Sequence, residues 1–312
     1  MKVVVSAAQF APETMSLEKA VNKAVDIIAQ AAKEQSQLVV FPETWLLGYP
    51  YWASMGTRDP LFRAYMVNLM QQAGPVNDPR LLPISKAAEK HKTAVVIGIH
   101  EQDGGSLYNT QLIYGPDGNL ENAHRKLMPT NTEKLVWGQG DGSDLAAIDM
   151  GFGKVGGLIC FEHQMTLARY AMCSLGEQIH CAQWPGHAHI TPVIDASMRQ
   201  LAHENGCFVV SAREVMSADH LPKDAPGMGD DLDRWHGVGG SAIIAPTATN
   251  IAVADEGVEM LLTAEIDLSM ISMIKYHLDN VGHYSRPDVF QLFWDDSPKL
   301  PVVRTSEIES GE

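Results

Sequence analysis

The chain has few basic residues, and they form no stripe along the sequence. It carries 23 Lys and Arg residues against 38 Asp and Glu residues, which gives a formal net charge of -15. Because nucleic acids and anionic membranes are bound by clustered positive charge, this composition argues against both as partners. The negative excess also disfavours anionic substrates, so we expect a small neutral molecule as the substrate.

Long apolar runs are also lacking. No stretch approaches the roughly 20 apolar residues that span a bilayer. The apolar run at the amino terminus is interrupted by Gln9 and Glu13, so it predicts a first core strand rather than a signal peptide. These features predict a soluble, cytoplasmic protein.

Cysteine is scarce. The 312 residues contain four cysteines, Cys160, Cys173, Cys181 and Cys207, which are too few for a disulfide scaffold in a chain of this length. We therefore expect reduced thiols. Cys173, Cys181 and Cys207 stand among apolar residues and are predicted to be buried and inert.

No low-complexity linker divides the chain, and strand-like and helix-like segments alternate along it. Strand patterns cover residues 3–5, 38–41, 94–99, 107–114, 154–159, 180–184, 208–211, 242–245 and 261–266. Helical spacing of apolar residues predicts helices after Ser16, over 81–90, over 167–177 and up to Asn205. This order predicts an α/β fold, with one domain over residues 1–312, two packed sheets and helices outside.

Two stretches have no regular pattern, 54–78 and 216–236. Both are longer than the median connection of about 4–6 residues. We predict that they form pocket rims or subunit contacts.

Three strand-like runs end in a residue that can carry chemistry. Cys160 follows the apolar run 157–159, Glu43 follows Phe41 and Pro42, and Lys126 ends a returning strand. A free thiol has a pKa of about 8.5, so a catalytic cysteine needs a base or a cation beside it. In α/β folds the carboxyl ends of strands are where sites form, and the sequence therefore predicts that the three residues meet.

Several motifs extend this pattern over nearly the whole chain. They are FPE at 41–43, GYPYW at 48–52, RKLMPT at 125–130 followed by Glu133, WGQGDG at 137–142, CFEH at 160–163, LARYA at 167–171, GEQ at 176–178, WP at 184–185 and GHYSRPD at 282–288. As a set they resemble nitrilases, a branch of the carbon-nitrogen hydrolase superfamily.

The resemblance implies a four-layer α-β-β-α sandwich that forms homodimers or larger homo-oligomers and needs no metal or organic cofactor. It implies that Cys160 is the nucleophile, Glu43 the base and Lys126 the cation, with Glu133 holding Lys126 and the backbone N–H of Phe161 donating to the developing charge. The reaction implied is hydrolysis of a nitrile to a carboxylic acid and ammonia. The predicted substrate pocket comprises Trp45, Tyr49, Tyr51, Trp52, His163, Gln164, Trp184 and Pro185.

Three features depart from the branch pattern. Phe161 stands where Trp is usual, and Thr166 stands where Pro is common. Both leave the substrate range open. The tail from about residue 285 is shorter than in many relatives, which leaves filament assembly open.

Other functions compete with the nitrilase prediction. An amidase uses the same three residues, a hydratase releases the amide or hydrates cyanide, and a scaffold protein retains only the fold. The Gly-x-Gly-x-x-Gly match at 151–156 joins two strands, so it is not typical of nucleotide binding. A zinc site at His180, Cys181, His187 and His189 lacks a standard spacing, and a dyad of Cys160 with the adjacent His163 has poor geometry.

Overall fold

The computed structural model describes residues 1–217, 220, 237–300 and 302. Strands and helices alternate along these residues. The strands are β1 Lys2–Gln9, β2 Leu38–Val40, β3 Ala94–Asp103, β4 Ser106–Tyr114, β5 Leu120–Arg125, β6 Ala147–Asp149, β7 Lys154–Ile159, β8 Ile179–Trp184, β9 Phe208–Arg213, β10 Val215–Met216, β11 Gly237–Val238, β12 Ala242–Ile244, β13 Asn250–Val253 and β14 Met260–Asp267. The α-helices are α1 Leu17–Lys33, α2 Pro60–Gln72, α3 Leu82–His91, α4 Thr166–Ser174, α5 Thr191–Asn205 and α6 Ser269–His277.

Twelve of these strands form two six-stranded sheets with similar plans. The first has the order β14-β1-β2-β3-β4-β5, and the second has the order β13-β12-β9-β8-β7-β6. In each sheet three adjacent strands are parallel, β1, β2 and β3 in the first and β7, β8 and β9 in the second. The flanking strands are antiparallel. The carboxyl ends of β2 and β7 therefore each lie inside a parallel region.

The two sheets pack face to face with helices outside. Val40 and Val96 of the first sheet share a buried core with Ile179 and Val210 of the second. On the outer side, alternate residues of the first sheet pack against α1 and α3, and those of the second sheet pack against α4 and α5. Side chains alternate across a strand, so one strand supplies both interfaces. The predicted four-layer α-β-β-α sandwich is confirmed.

The prediction that residues 54–78 are irregular is wrong, because α2 occupies Pro60–Gln72. Asp59 caps this helix by accepting a hydrogen bond from the Leu61 N–H at 2.8 Å, and Pro60 stands at its first position, where its missing N–H costs nothing. Phe62, Tyr65 and Leu69 recur at helical spacing and are buried. The cap and the spacing together account for the helix.

Two other predicted segments differ in their ends. The helix predicted over 167–177 ends at Ser174, because Gly176 adopts a left-handed conformation with φ 73. Glu177 therefore stands outside the helix, at the entrance to β8. Most of the 216–236 stretch lies outside the described residues, and its two ends pair as β10 and β11. Within the part of the chain described, no helix combines the length and the apolar content needed to cross a membrane.

Gly98 in β3 lies directly against the backbone that carries Glu43. A Cβ atom at this position would stand 2.2 Å from the Thr44 nitrogen and 2.8 Å from the Pro42 oxygen. These are backbone atoms, so they cannot move aside as a flexible side chain can. The close approach lets the segment after β2 continue along β3, where the Leu46 N–H donates to the Gly98 oxygen at 3.1 Å.

We predict that Gly98→Ala lowers the free energy of unfolding by about 1–3 kcal/mol, the usual cost of overpacking. Gly105→Ala is the matched control, because a Cβ there has no atom within 4 Å. Urea unfolding followed by circular dichroism measures both variants. Equal stability of the two variants would contradict the packing assigned to Gly98.

Candidate active site

The three strand ends selected from the sequence meet in one buried cluster. Glu43 is the third residue after β2, Lys126 directly follows β5 and Cys160 directly follows β7. One carboxylate oxygen of Glu43, one of Glu133 and the Cys160 Sγ lie within 4.8 Å of one another. Glu43 is fully buried and Cys160 is 7% exposed. The structure therefore brings together all four residues predicted to carry the chemistry.

The Lys126 ammonium lies between the two carboxylates. Its Nζ donates to Glu43 Oε1 at 2.6 Å and to both oxygens of Glu133 at 3.0 and 2.9 Å. The Asn109 amide also donates to Glu43 Oε1, at 2.7 Å. The second oxygen of Glu43, Oε2, is buried and has no hydrogen-bond partner among the described residues. This oxygen is therefore free to accept a proton from a neighbouring group.

Glu133 is fixed by its own short helix. It lies in a 3-10 helix over Asn131–Leu135, and its Oε2 accepts a hydrogen bond from the Thr130 N–H at 2.6 Å. This contact is part of a capping box, in which the side chain of the third helical residue accepts a hydrogen bond from the N–H of the residue that precedes the helix. The Tyr49 hydroxyl donates to Glu133 Oε1 at 2.8 Å. Glu133 therefore has little freedom to leave Lys126.

The pKa values of the cluster follow from burial and mutual charge. Burial raises the pKa of Glu43 to about 7, against the opposing effect of Lys126. Burial alone would lower the pKa of Lys126, but the negative charges of Cys160, when it is ionised, and of Glu43 and Glu133 raise it above its usual value. Burial, and next the charge of Glu43, raises the pKa of the Cys160 thiol well above its usual value. At neutral pH the cluster thus holds the protonated Cys160 thiol beside the Glu43 carboxyl group, whose pKa is close to the ambient pH.

Cys160 sits on a sharp turn between β7 and the next helix. Its φ is 50, in the left-handed region that side chains other than glycine seldom adopt. A 3-10 helix over Cys160–Gln164 begins there, and the Phe161 backbone N–H acts to lower the pKa of the thiol, against the larger effect of burial. The turn therefore presents both the sulfur and a backbone donor to the same side.

Glu162 ties the Lys126 and Cys160 segments together, and the sequence reasoning missed this. Its carboxylate accepts hydrogen bonds from the N–H groups of Leu127 and Ile159, each at 2.6 Å, and from His124 Nε2 at 3.0 Å. Leu127 follows Lys126, and Ile159 precedes Cys160. Glu162 is the third residue of its short helix, from which a Glu side chain can reach back to the N–H of the preceding residue, but Ile159 lacks the side-chain oxygen that would mark a capping box in the sequence.

The Glu162 carboxylate is itself paired. His124 Nδ1 bonds Asp144 at 2.6 Å, while its Nε2 contacts Glu162. Burial alone would lower the pKa of His124, but Glu162 and Asp144 raise it to about 10. Burial likewise acts to raise the pKa of Glu162, and the charge of His124 outweighs it, so that pKa is lowered. Both groups are therefore charged at neutral pH.

Of the predicted pocket residues, Tyr49 and Tyr51 lie beside the cluster. Their rings are 5.0 Å apart, and each contacts the ring of His187, at 5.3 and 4.9 Å. The Tyr51 hydroxyl donates to Glu214, a fully buried residue whose pKa burial raises to about 8. Glu214 was not selected from the sequence as a pocket residue, because no local spacing links it to Glu43 or Cys160.

The other predicted pocket residues have different surroundings. Trp45 packs in the core against Phe41 and donates to the Phe10 oxygen at 2.9 Å, and Trp52 stacks on Tyr65. Trp184 and Pro185 are buried, His163 is stacked on Trp184 with ring centroids 4.8 Å apart, and Gln164 is exposed. None of these six makes a hydrogen bond to Glu43, Lys126 or Glu133 among the described contacts.

Two groups of side chains have the residue types that bind metals. Glu43, Glu133 and Cys160 offer three ligand atoms close together, but the Lys126 ammonium already occupies the space between the two carboxylates. His180 contacts His163 and Glu177, whereas the adjacent Cys181 faces the core between the sheets. His180 and Cys181 therefore lie on opposite faces of β8, as neighbouring residues of a strand do.

Comparison with known proteins agrees with this site and fold. The family model described as carbon-nitrogen hydrolase matches residues 4–276. An aliphatic nitrilase of Rhodococcus rhodochrous is 38% identical over 309 residues, which is 96% of this chain and 84% of that protein. A bifunctional nitrilase/nitrile hydratase of Lupinus angustifolius is 38% identical over 299 residues, 91% of this chain and 84% of that protein. The crystal structure of a carbon-nitrogen hydrolase from Helicobacter pylori G27 superposes with a TM-score of 0.70 at 19% identity, over 89% of this chain and 93% of that one.

We predict that alkylation of Cys160 by iodoacetamide accelerates as pH rises through about 7, because Glu43 must be ionised to take the thiol proton. The rate is measured by mass spectrometry of the peptide that contains Cys160. In Glu43→Gln the rise of the alkylation rate near pH 7 should disappear. The prediction would be contradicted if the wild-type rate rose with a midpoint near the ordinary glutamate pKa of about 4.3, or if the rise near pH 7 were unchanged in the variant.

Proposed function

The chain belongs to the nitrilase branch of the carbon-nitrogen hydrolase family, and we propose that it hydrolyses an organic nitrile to the carboxylic acid and ammonia through a covalent intermediate on Cys160. One observation carries the chemical part of this proposal. The Cys160 sulfur shares a buried cluster with two carboxylates and the ammonium of Lys126. A nucleophile, a base and a cation are the groups that addition to a carbon-nitrogen triple bond requires.

In the first step Glu43 takes the Sγ proton as the sulfur attacks the nitrile carbon. One π bond of the nitrile opens, and its electron pair moves to nitrogen. The charge that develops there is stabilised by the Lys126 ammonium and the Phe161 N–H, and the nitrogen takes up the proton. The product is a thioimidate on Cys160. Removing one such donor typically costs about 10²- to 10³-fold in rate.

Two waters complete the reaction. The first adds to the thioimidate carbon, the carbon-nitrogen bond breaks, and ammonia leaves after protonation through Glu43, so that a thioester remains. The second water, activated by Glu43, adds to the thioester. The carbon-sulfur bond then breaks, the acid leaves, and the thiol regains its proton. One nitrile and two waters thus give one acid and one ammonia.

Glu133 keeps Lys126 charged and in place. Its two oxygens contact Nζ, and the Tyr49 hydroxyl and the Thr130 N–H hold the carboxylate. With Glu133 removed, Lys126 would have Glu43 as its only carboxylate partner among the described contacts, and that pairing would compete with the action of Glu43 as a base. Glu133 therefore acts by freeing Glu43 as well as by holding the cation.

The cluster and its surroundings favour a neutral substrate with an apolar side chain. Two carboxylates flank the reacting sulfur, and the whole chain carries a net charge of -15, so an anionic nitrile would be repelled. Tyr49, Tyr51 and His187 offer aromatic edges beside the cluster. Aliphatic or arylaliphatic nitriles fit these surroundings.

Release of the amide is the second candidate activity. When water has added to the thioimidate, loss of the sulfur instead of ammonia gives an amide and ends the reaction. The relative in Lupinus angustifolius is described as both a nitrilase and a nitrile hydratase, which supports testing for this product.

We also propose that the chain, as one domain over residues 1–312, assembles into homodimers or larger oligomers in the cytoplasm. The segment after α6 exposes aromatic rings, with Phe290 80% and Phe293 84% exposed. Exposed aromatic patches of this kind mark contact surfaces. All four cysteines are free, which suits a reducing compartment. Size-exclusion chromatography with light scattering tests the assembly, and a monomer at micromolar concentration would contradict it.

We predict that the wild type releases ammonia from at least one nitrile in a panel of aliphatic, arylaliphatic and aromatic nitriles, and that Cys160→Ala abolishes the release. Cys173→Ala is the control, because Cys173 is a buried cysteine of α4 outside the cluster. The corresponding amides are assayed in parallel. Turnover of amides without nitriles would replace the proposed function with an amidase, and no turnover of either would point to a scaffold.

A further inference from the structure

A chain of hydrogen bonds runs from the Cys160 backbone into the protein, away from Glu43 and Lys126. His163 Nδ1 bonds the Cys160 oxygen at 2.7 Å, and His163 Nε2 lies 3.0 Å from His180 Nε2. His180 Nδ1 then bonds Glu177 Oε2 at 2.8 Å, and Glu177 Oε1 accepts from the Asn205 amide at 3.0 Å. His163, His180 and Glu177 are buried with at most 1% exposure. The reaction steps above use none of these three side chains.

The partners fix the direction of each hydrogen bond. A carbonyl oxygen only accepts, so His163 Nδ1 carries the hydrogen that it donates to Cys160. Burial, and next the charge of His180, lowers the pKa of His163 well below its usual value, so His163 is neutral and its Nε2 accepts. His180 must then donate from Nε2, and it also donates from Nδ1 to the Glu177 carboxylate.

One peptide group connects this chain to the reacting atoms. The oxygen of Cys160 and the N–H of Phe161 belong to the same planar unit, so fixing the oxygen fixes the direction of the N–H. That N–H acts to lower the pKa of the Cys160 thiol and is the backbone donor of the proposed reaction. The unit directly follows the strained φ of 50 at Cys160, a conformation that persists only when its surroundings hold it.

We propose that His163, His180 and Glu177 form a positioning chain that aims the Phe161 N–H at the charge developing on the substrate. This inference rests on the proposed function, because it assigns a task within that reaction. The His163 hydrogen bond to the Cys160 oxygen holds the peptide plane and polarises the N–H at its other end. His180 holds His163 in the tautomer that donates from Nδ1, and Glu177 holds His180.

This proposal gives His163 a different task from the pocket-lining role expected from the sequence. His163 is fully buried, stacks on Trp184 and directs both ring nitrogens to protein partners. The two roles differ in the kinetic constant that they control. A pocket residue sets KM and substrate preference, whereas a residue that aims a transition-state donor sets kcat.

Asparagine and glutamine distinguish the two nitrogens of each histidine. The Asn side-chain nitrogen occupies roughly the place of His Nδ1, and the Gln side-chain nitrogen reaches roughly the place of His Nε2. The positioning chain needs a donor at the place of Nδ1 at position 163, which bonds the Cys160 oxygen, and at the place of Nε2 at position 180, which bonds His163. The positioning chain therefore predicts opposite preferences at the two positions.

The experiment measures kcat and KM of His163→Asn, His163→Gln, His180→Asn and His180→Gln on the best substrate of the panel, nitrile or amide. Rates are normalised to folded protein recovered by size exclusion. We expect His163→Asn and His180→Gln to keep kcat within about 5-fold of the wild type, and the other two variants to lose about 10- to 100-fold, below the full loss of an oxyanion donor. KM should change less than about 3-fold in all four, as expected for an interaction made only in the transition state.

His203→Gln is the matched control, because His203 Nδ1 also bonds a backbone oxygen, that of Pro246 at 3.2 Å, outside the cluster. Its kcat should equal that of the wild type. Equal losses for Asn and Gln at both positions, or a kcat per folded enzyme that is unchanged in all four variants, would overturn the positioning role. Changes confined to KM would restore the pocket role of His163. The wild-type turnover in the same assay tests the proposed function separately.

Discussion

The buried contact of the Lys126 ammonium with Glu43 and Glu133 is the interaction on which the site depends. Two carboxylates and a cation share one enclosed space at 2.6 to 3.0 Å. Leaving one buried charge without its partner typically costs about 3–5 kcal/mol, so each member holds the others in place. The same cluster sets the chemistry, because burial raises the pKa of both Glu43 and the Cys160 thiol. The thiol therefore keeps its proton until Glu43 removes it.

The fold supplies this contact by bringing strand ends from two sheets to one place. Glu43 and Lys126 follow β2 and β5 of the first sheet, and Cys160 follows β7 of the second. Packing alone would leave the last residues of each strand free to move, and Glu162 removes that freedom by bonding the N–H groups of Leu127 and Ile159. The site thus combines a rigid frame of strand ends with a second group of buried charges, Glu162 and His124.

Sequence patterns predicted the parts of this structure that have local causes. Strands with continuous apolar runs were found close to their observed positions, and Glu43, Lys126 and Cys160 were found because parallel strands share an edge. The helix α2 was missed because its buried residues, Phe62, Tyr65 and Leu69, are few and stand in an otherwise mixed segment. The contact between Tyr51 and Glu214 joins residues 163 positions apart, and only the folded chain shows it.

The central claim is that Cys160 forms a covalent bond with the substrate within this cluster. Rapid quenching during turnover of a hydrolysed nitrile, followed by peptide mass spectrometry, measures this directly. The account predicts an added mass equal to the bound substrate group on the peptide that contains Cys160, with Cys173, Cys181 and Cys207 unmodified. Turnover with no adduct on Cys160 under any quench time, or an adduct on another residue, would contradict it.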